Sequence, residues 1–370
     1  MTCLLLMFAS VFNLVAAQRA EPVGGDFGAP AVVVPAPEDP RFAHLAWPKI
    51  IKAGDGTLVL AYSAGRFHGN GGEGCPAVSV STDNGETFSP PHILREFDQT
   101  TTYDNSANTA LGLAEDGAVV LLAMAYTGNE RNSIFGWRSA DSGHTWEPVD
   151  TSTLADGKTG SVFGHVFPVP GRGLAVAGHF RPGSVNRTEG IWIAYSNDHG
   201  RSWGPPELIT ERKFFEPAIV LTGDRFVGLF RDPDTVSHYW LAVSDTEKTN
   251  WTLTKWPERP PLECRLPSPF IAVSPRNPRR LYALESQRHQ RGSLPGAVYL
   301  WTADAPTLEW ARLGTVVEFP EELGRRRDIT YPWMTHLEGG EWFLVFYCGE
   351  NRGPSDIYGM RLTIPENDTH

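Results

Sequence analysis

Residues 81–88 read Ser-Thr-Asp-Asn-Gly-Glu-Thr-Phe, and the same pattern returns at residues 139–146 (SADSGHTW) and 196–203 (SNDHGRSW). Each copy has the form Ser-x-Asp-x-Gly-x-Thr/Ser-aromatic and follows a short run of β-favouring residues. An aspartate can cap the backbone of its own turn, glycine accepts a positive φ, and the aromatic ring can pack back between strands. The pattern therefore predicts a repeated hairpin turn in which the aspartates are structural rather than catalytic.

The repeat continues in a weaker form at Asp245 and Asp304, where the glycine is missing, so that successive aspartates are 58, 57, 47 and 59 residues apart. A second pattern occurs six times: a strand that opens near proline or a small polar residue, a turn, and an apolar strand. The six units begin near Trp47, Asp104, Phe167, Glu216, Leu266 and Tyr331. Short strands separated by regular turn signals predict radially repeated four-stranded sheets.

The Ser-x-Asp-x-Gly-x-Thr-aromatic pattern resembles the Asp-box of the sialidase superfamily. The resemblance implies an all-β fold, a six-bladed β-propeller of four-stranded antiparallel blades, over roughly residues 30–365. No Asp-box follows the sixth unit, and residues 31–34 (AVVV) form an additional strand near the N-terminus. We expect this strand to close the last blade and to remove its open edge. Residues 28–370 are thus predicted to be one propeller domain.

The N-terminal segment contains an apolar run at residues 4–17 that ends in small residues. A helix of this length is too short to cross a bilayer, but it fits the apolar region of a secretory signal. We therefore predict a signal peptide at residues 1–17, an extension at 18–27, and a secreted or periplasmic protein. The alternative is a frayed apolar N-terminus, because no Lys or Arg precedes the run. No later stretch of sequence is long enough to span a membrane.

The composition limits the possible partners and cofactors. The chain has 370 residues, of which 41% are hydrophobic, and a net charge of −11. Binding to a phosphate backbone needs a basic surface, so we expect no nucleic-acid partner. After signal removal Cys75, Cys264 and Cys348 remain, which allow at most one disulfide and lack the spacing of a zinc site. We expect buried thiols, no metal, no cofactor, and a monomer.

Arginine occurs near the end of the second strand of almost every unit. A single arginine there is most simply a solvated cation, but a set at equivalent positions in an acidic protein indicates an anion-binding pocket, since guanidinium groups bind carboxylates with two hydrogen bonds. In a propeller the starts of the inner strands converge on the same mouth, which adds Asp104 and His165 as candidates. The arginines are Arg66, Arg131, Arg181, Arg231, Arg288 with Arg291, and Arg352.

The resemblance to sialidases also implies roles for individual residues. Glu216, in Phe-Glu-Pro, looks like the family glutamate, and Tyr331, in Thr-Tyr-Pro, looks like the nucleophile. Arg231 looks like the second arginine of the family's carboxylate-binding triad, and Arg291, or less closely Arg288, looks like the third. A phenol can approach an anomeric carbon that carries a carboxylate, provided that a base takes its proton. The alternatives are a core role for Tyr331 and a simple ion pair between Glu216 and Arg231.

Two departures from the family pattern concern specificity and acid catalysis. Ala46 stands where blade one of the family has an arginine, and the nearby Lys49 follows Pro48 and should point elsewhere. The family's acid/base aspartate has no obvious counterpart, so that the loop of residues 66–75 (RFHGNGGEGC) offers Glu73, His68 or neither. We therefore expect a retaining exo-glycosidase of the sialidase type that acts on a terminal, anionic sugar. The alternatives are a related enzyme for another sugar or a non-catalytic glycan-binding propeller.

Overall fold

The computed structural model describes residues 26–233, 238–245, 250–257, 266–288, 296–319 and 327–365. The predicted signal peptide, Cys264 and Arg291 lie outside these ranges. Within them the chain forms strands and turns and contains no helix, and hence no helix that could cross a membrane. Cys75 and Cys348 are buried.

The strands are short and follow one another closely along the chain. In the first half they are β1 (Asp26–Phe27), β2 (Ala31–Val34), β3 (His44–Lys52), β4 (Leu58–Gly65), β5 (Cys75–Ser81), β6 (His92–Ile93), β7 (Asn105–Leu113), β8 (Val119–Thr127), β9 (Arg131–Ser139), β10 (Glu147–Pro148), β11 (Gly160–Val169), β12 (Gly173–Phe180), β13 (Ile191–Ser196) and β14 (Glu207–Thr210). In the second half they are β15 (Phe215–Thr222), β16 (Arg225–Arg231), β17 (Tyr239–Asp245), β18 (Thr252–Trp256), β19 (Phe270–Val273), β20 (Arg280–Gln287), β21 (Gly296–Asp304), β22 (Trp310–Phe319), β23 (Arg327–His336), β24 (Glu341–Glu350) and β25 (Ser355–Thr363).

The strands pair in antiparallel runs of four that follow chain order: β3–β6, β7–β10, β11–β14, β15–β18 and β19–β22. The two strands of each of the six predicted units form an antiparallel hairpin, as in β15–β16 and β23–β24. Short parallel pairings join β7 to β11 and β25 to β3. The first strands of successive runs also contact one another, and β23 contacts β3. These first strands therefore lie innermost.

The N-terminal segment completes the sheet of the last three strands. Strand β2 pairs antiparallel with β25, with Ala31 opposite Gly359 and Val32 opposite Tyr358, and β1 pairs with the far end of the same strand. Residues 31–34 thus occupy the edge that the sequence predicted for them. A paired edge no longer offers free backbone groups to another chain.

The three Ser-x-Asp-x-Gly turns share one set of hydrogen bonds. In the second copy Asp141 Oδ1 accepts from the Ser139 hydroxyl at 2.7 Å and from the Thr145 backbone N–H at 2.8 Å, while the Gly143 N–H donates to Ser139 Oγ. Gly143 has a φ of 91°, which is the reason for a glycine there. The other two copies repeat these bonds. The aspartates therefore hold turns between the third and fourth strands of their runs.

Candidate active site

A bulge interrupts the innermost strand of several runs at the same place. The pairing register shifts at residues 46–49, 163–166, 215–218 and 330–333. The first inserted residues, Trp47, Gly164, Glu216 and Tyr331, have φ values of 58°, 96°, 48° and 53°. Such a conformation costs on the order of 1–3 kcal/mol for a residue with a side chain, and it concentrates at functional sites. The bulges release these side chains from the alternation of the strand.

Three of these bulge residues, Trp47, Glu216 and Tyr331, line a cleft with a volume of about 370 Å³. Its walls combine aromatic rings, amides and positively charged side chains. The lining residues are Trp47, His68, Gly69, Ala107, Asn108, Met124, Tyr126, Asn129, His179, Phe180, Arg181, Pro182, Thr188, Lys213, Phe215, Glu216, Arg231 and Tyr331. A cleft with this mixture of rings and polar groups is of the kind that binds small molecules.

Three of these side chains form a hydrogen-bonded cluster, although they come from β15, β16 and β23. The Tyr331 hydroxyl donates to Glu216 Oε1 at 2.7 Å, across 115 residues of chain. Arg231 Nη1 donates to Glu216 Oε2 at 2.9 Å and to the Tyr331 oxygen at 3.1 Å. The backbone N–H of Glu216 donates to His179 Nδ1 at 3.3 Å, which supports the bulge. Tyr331 and Glu216 are buried but line the cleft.

The charges in this cluster fix the proton on the phenol. Burial opposes ionisation of Glu216, but the adjacent Arg231 guanidinium outweighs it and lowers the pKa of the carboxyl. Burial and the negative charge of Glu216 raise the pKa of Tyr331 well above its usual range. At neutral pH the pair is therefore a neutral phenol beside an ionised carboxylate. The carboxylate is placed to accept the phenolic proton.

Trp47, rather than Ala46, occupies the bulge position in β3 that corresponds to Glu216 and Tyr331. The Trp47 ring packs edge-on against Tyr331, with ring centroids 6.3 Å apart, and against His68 at 5.0 Å. Lys49, which the sequence predicted to point away from the site, is buried, and its Nζ lies 4.2 Å and 4.3 Å from the ring centroids of Phe163 and Trp333. This wall of the cleft is therefore formed by an aromatic ring.

Arg288 lies behind Tyr331 and does not line the cleft. Its Nε donates to the Ile329 carbonyl oxygen at 2.9 Å, and Nη2 contacts Asp328 Oδ1 at 2.9 Å and the Tyr347 hydroxyl. Its Cζ is 5.2 Å from the centroid of the Tyr331 ring. Arg288 therefore supports the nucleophile candidate and already has an anionic partner. Of the arginines named for the triad, Arg231 is the one that the described residues bring to Glu216 and Tyr331.

His68 reaches the cleft from the loop after β4 and is oriented by Asp328. His68 Nδ1 bonds to Asp328 Oδ2, and the His68 side chain is 29% exposed. Burial opposes ionisation of Asp328, but Arg288 and hydrogen bonds from His44 and His68 hold the pKa of Asp328 well below its usual range. Because the carboxylate is ionised, Nδ1 of His68 acts as the donor, and Nε2 is left for the cleft.

The same cluster offers a set of atoms that a metal ion could use. Ligand atoms of His44, His68 and Asp328 lie within 4.8 Å of one another. However, the Arg288 guanidinium already compensates the charge of Asp328 and would repel a divalent cation. His44 Nδ1 also hydrogen-bonds the Gly353 carbonyl oxygen at 2.9 Å. We therefore interpret the cluster as a hydrogen-bonded network that fixes His68.

Six other residues named from the sequence do not line this cleft: Arg66, Glu73, Asp104, Arg131, His165 and Arg352. Arg66 forms an ion pair with Glu73 beside a separate cleft of about 250 Å³. The Asp104 backbone N–H donates to Thr127 Oγ1, and the Asp104 side chain does not line the cleft. His165 packs against the rings of Phe270 and Trp333, its Nε2 is 2.8 Å from the Ile271 carbonyl oxygen, and burial lowers its pKa to about 4.

Comparisons with known proteins agree with this architecture. A protein of unknown function from Dyadobacter fermentans matches 93% of this chain and 100% of its own, with a TM-score of 0.70 and 18% identity. A Hadza microbial sialidase matches 90% of this chain and 68% of its own, with a TM-score of 0.64 and 15% identity. The fold is sialidase-like. For the leech intramolecular trans-sialidase complexed with 2,7-anhydro-Neu5Ac the shares are 91% and 70%, with a TM-score of 0.65 and 12% identity. No family model matches the sequence, and no curated protein matches it.

The candidates from the sequence do not include three residues at or beside the cleft: Trp47, Asp328 and Asn108. Trp47 precedes a proline at the start of its unit, as Glu216 and Tyr331 do, so the repeat itself contained the signal for it. Asp328 lies three residues before Tyr331 on the same strand, but nothing in the sequence showed that it would meet His68 across 260 residues. Asn108 enters through a further bulge, where the register of β7 shifts between Ser106 and Thr109.

Proposed function

We propose that this protein is a retaining exo-glycosidase of the sialidase type, built on a six-bladed propeller, that removes a terminal, anionic sugar from a glycan. The observation that carries the proposal is the hydrogen-bonded cluster of Tyr331, Glu216 and Arg231 at the wall of the cleft. The runs of four strands, with β2 completing the last one, support the count of six blades. The N-terminal apolar segment supports a secreted or periplasmic location.

In the first step the Tyr331 oxygen attacks the anomeric carbon while its proton passes to Glu216. The bond from the anomeric carbon to the leaving oxygen breaks, and a covalent link between the sugar and Tyr331 forms. The positive charge of Arg231 stabilises the phenol oxygen as it loses its proton, because its Nη1 already donates to that oxygen. The ionised Glu216 also lies near the positive charge that develops on the sugar.

In the same proposal His68 is the general acid and base, in place of the family aspartate. The step starts from the imidazolium form of His68, which gives its Nε2 proton to the leaving oxygen and becomes neutral while its Nδ1–H stays bonded to Asp328. In the second step neutral His68 takes a proton from water, the water oxygen attacks the anomeric carbon, and the bond to Tyr331 breaks. The Tyr331 oxygen then regains its proton from Glu216, which returns every group to its starting state.

A related enzyme for a sugar other than sialic acid is the second candidate, and a specific observation favours it. Arg288 is bonded to Asp328 and Tyr347, Ala46 stands at the position of the family's first arginine, and the neighbouring Trp47 lines the cleft. A full arginine clamp for a carboxylate on the anomeric carbon is therefore not formed by the described residues.

A panel of 4-methylumbelliferyl glycosides tests the proposal and identifies the sugar. The panel comprises the sialoside, the glucuronide and the arabinoside, and at least one should be hydrolysed with retention at the anomeric carbon. Tyr331→Phe should reduce kcat by a factor on the order of 10⁴–10⁶, as expected when a nucleophile is lost. Tyr62→Phe is the matched control, because Tyr62 is fully buried and bonds Ser79 away from the cleft. Full activity of Tyr331→Phe, or a wild-type protein that binds glycans without hydrolysing any, would overturn the proposal.

The role of His68 is tested by leaving groups of different acidity on whichever sugar is hydrolysed. A methyl glycoside needs its leaving oxygen protonated, whereas a 2,4-dinitrophenyl glycoside does not. His68→Ala should therefore slow the methyl glycoside by roughly 10²–10⁴ and affect the first step on the dinitrophenyl glycoside far less. Equal losses on both substrates would mean that His68 only shapes the site, and another residue would have to donate the proton.

A further inference from the structure

Arg181 lines the cleft on a different wall from Tyr331 and lacks a strong partner. It follows β12, and its Cζ lies 4.7 Å from the centroid of the Tyr126 ring. Its Nη2 donates to the Gly128 carbonyl oxygen at 3.4 Å, and its Nη1 donates to Met124 Sδ at 3.6 Å. The first bond is long and the second has a weak acceptor. Among the described residues no carboxylate lies within ion-pair distance of this guanidinium.

Two other arginines that stack on aromatic rings have carboxylate partners, whereas Arg95, Arg312 and Arg352 stack on rings outside this cleft without an ion pair among the described residues. Arg172 stacks on Tyr195, with its Cζ 3.6 Å from the ring centroid, and pairs with Glu207. Arg212 stacks on Trp240 at 3.8 Å and lies 3.5 Å from Asp232. Arg181 has the same support from a ring but no such partner within the described ranges. Its charge is thus held in place without being compensated.

The pKa values of the two guanidinium groups of the cleft, Arg181 and Arg231, shift in opposite directions. Burial lowers the pKa of Arg181, and Tyr126 offsets this only in part. For Arg231 burial also acts against the charge, but Glu216 and Tyr331 outweigh it and raise the pKa. A partly buried charge without a counter-charge is costly until an anion arrives.

We propose that Arg181 is an anion-binding residue of the cleft and that it pairs with a carboxylate carried by a sugar. The inference rests on the proposed function only in treating this carboxylate as part of the substrate. Arg231 is less suited to the task, because Glu216 already neutralises it. Arg181 contacts β8 and the turn after it. A sugar carboxylate bound to Arg181 would therefore lie against a different wall from the one that contains Tyr331.

The surroundings of Arg181 suit an acidic sugar. The stack on Tyr126 fixes the plane of the guanidinium, whose fork matches the two oxygens of a carboxylate. Asn108, Asn129 and Thr188 also line the cleft and can bond the hydroxyl groups of a sugar ring. Lys213 adds a second positive charge to the lining, although it pairs with the exposed Glu189 at 3.2 Å.

A binding experiment with free sugar acids tests this site without requiring turnover. Titration calorimetry would compare D-glucuronate, D-galacturonate and N-acetylneuraminate with D-glucose as the neutral control. The proteins are wild type, Arg181→Met, Arg181→Lys, and Arg172→Met as the matched control. Arg172→Met removes an arginine that stacks on a tyrosine but lies outside the cleft. Thermal unfolding of each variant checks that it is folded.

We expect the wild type to bind at least one sugar acid in preference to glucose, and Arg181→Met to weaken that binding on the order of 10- to 100-fold. Arg181→Lys should be intermediate, because it keeps the charge and loses the fork, and Arg172→Met should be unchanged. Wild-type affinity in Arg181→Met, or no binding of any acid by the wild type, would overturn the inference. Loss of binding in Arg181→Met together with no hydrolysis of any glycoside would instead leave this site standing and reject the proposed function.

Discussion

Arg231 and Arg181 line the same cleft, yet their charges are balanced in opposite ways. Arg231 is held by the Glu216 carboxylate and the Tyr331 hydroxyl, at 2.9 Å and 3.1 Å. Arg181 rests on the Tyr126 ring and has only weak acceptors among the described residues. One wall of the cleft is therefore electrostatically complete without a ligand, and the other is not.

The two walls are therefore suited to two different tasks, proton transfer and anion binding. The complete wall keeps Glu216 ionised and Tyr331 protonated, which prepares a proton transfer. The incomplete wall gains most when an anion enters, so it is suited to binding. Substitutions that change the balance on one wall should leave the other largely unaffected.

The largest expected effect comes from breaking the balance at Arg231. Glu216→Gln keeps the shape of the side chain but leaves Arg231 without its counter-charge, as Arg181 is now. We expect the free energy of unfolding to fall by about 3 kcal/mol, at the low end of the range for a broken buried pair, because the Arg231 side chain keeps 20% exposure. Loss of the proton acceptor should also reduce kcat by roughly 10²–10⁴. Urea unfolding and steady-state kinetics measure the two effects.

Two further variants make that result specific. Glu207→Gln removes the carboxylate of the solvent-exposed pair with Arg172 and should change stability by less than about 1 kcal/mol. The double variant Glu216→Gln with Arg231→Met should recover part of the stability lost in the single one, because no buried charge is then left alone. A single variant as stable as the wild type would show that the Arg231 pair does not balance a buried charge.

The next effect concerns Lys49, a third buried cation, which lies between aromatic rings. Burial lowers its pKa from 10.5 to about 7, although Glu216 acts in the opposite direction. Between these two values the unfolded chain binds more protons than the folded one, so the stability of the folded protein rises with pH. The gain is at most about 1.4 kcal/mol per pH unit in this window. The test is urea unfolding of the wild type and of Lys49→Met from pH 7 to 9.5. The free energy of unfolding of the wild type should rise with pH relative to that of the variant, and a difference that does not change with pH would contradict the prediction.

The repeated units, including the positions of Glu216 and Tyr331, could be predicted because their signals are local. A turn formed by Ser139, Asp141 and Gly143 needs only residues that are close in the chain, and its spacing sets the strand register. A proline after Glu216 and after Tyr331 marks the same point of two units. Once the units are superimposed by sequence, these two side chains fall at the same end of the innermost strands.

The partners of the loop residues could not be predicted, because they depend on contacts between distant segments. Arg288 stands at the expected place in its unit but turns to Asp328, which lies 40 residues further along the chain. Glu73 pairs with Arg66 within its own loop, and both residues line the other, smaller cleft. A strand end fixes where a loop begins, whereas the direction of each side chain depends on which opposite charge it meets.

The smallest effect, and the most direct test of the comparison, is the change in stability when Arg181 is removed without a ligand. Arg181→Met keeps an apolar chain against Tyr126 and Met124 and removes a charge that lacks a counter-charge within the described residues. We expect the free energy of unfolding in buffer free of oxyanions to stay constant or to rise by up to about 1 kcal/mol. Arg231→Met should lower it under the same conditions, because Glu216 would be left alone. If urea unfolding shows that both substitutions lower the free energy of unfolding, the two walls do not differ in charge balance. Only the removal of a compensated guanidinium should destabilise the protein.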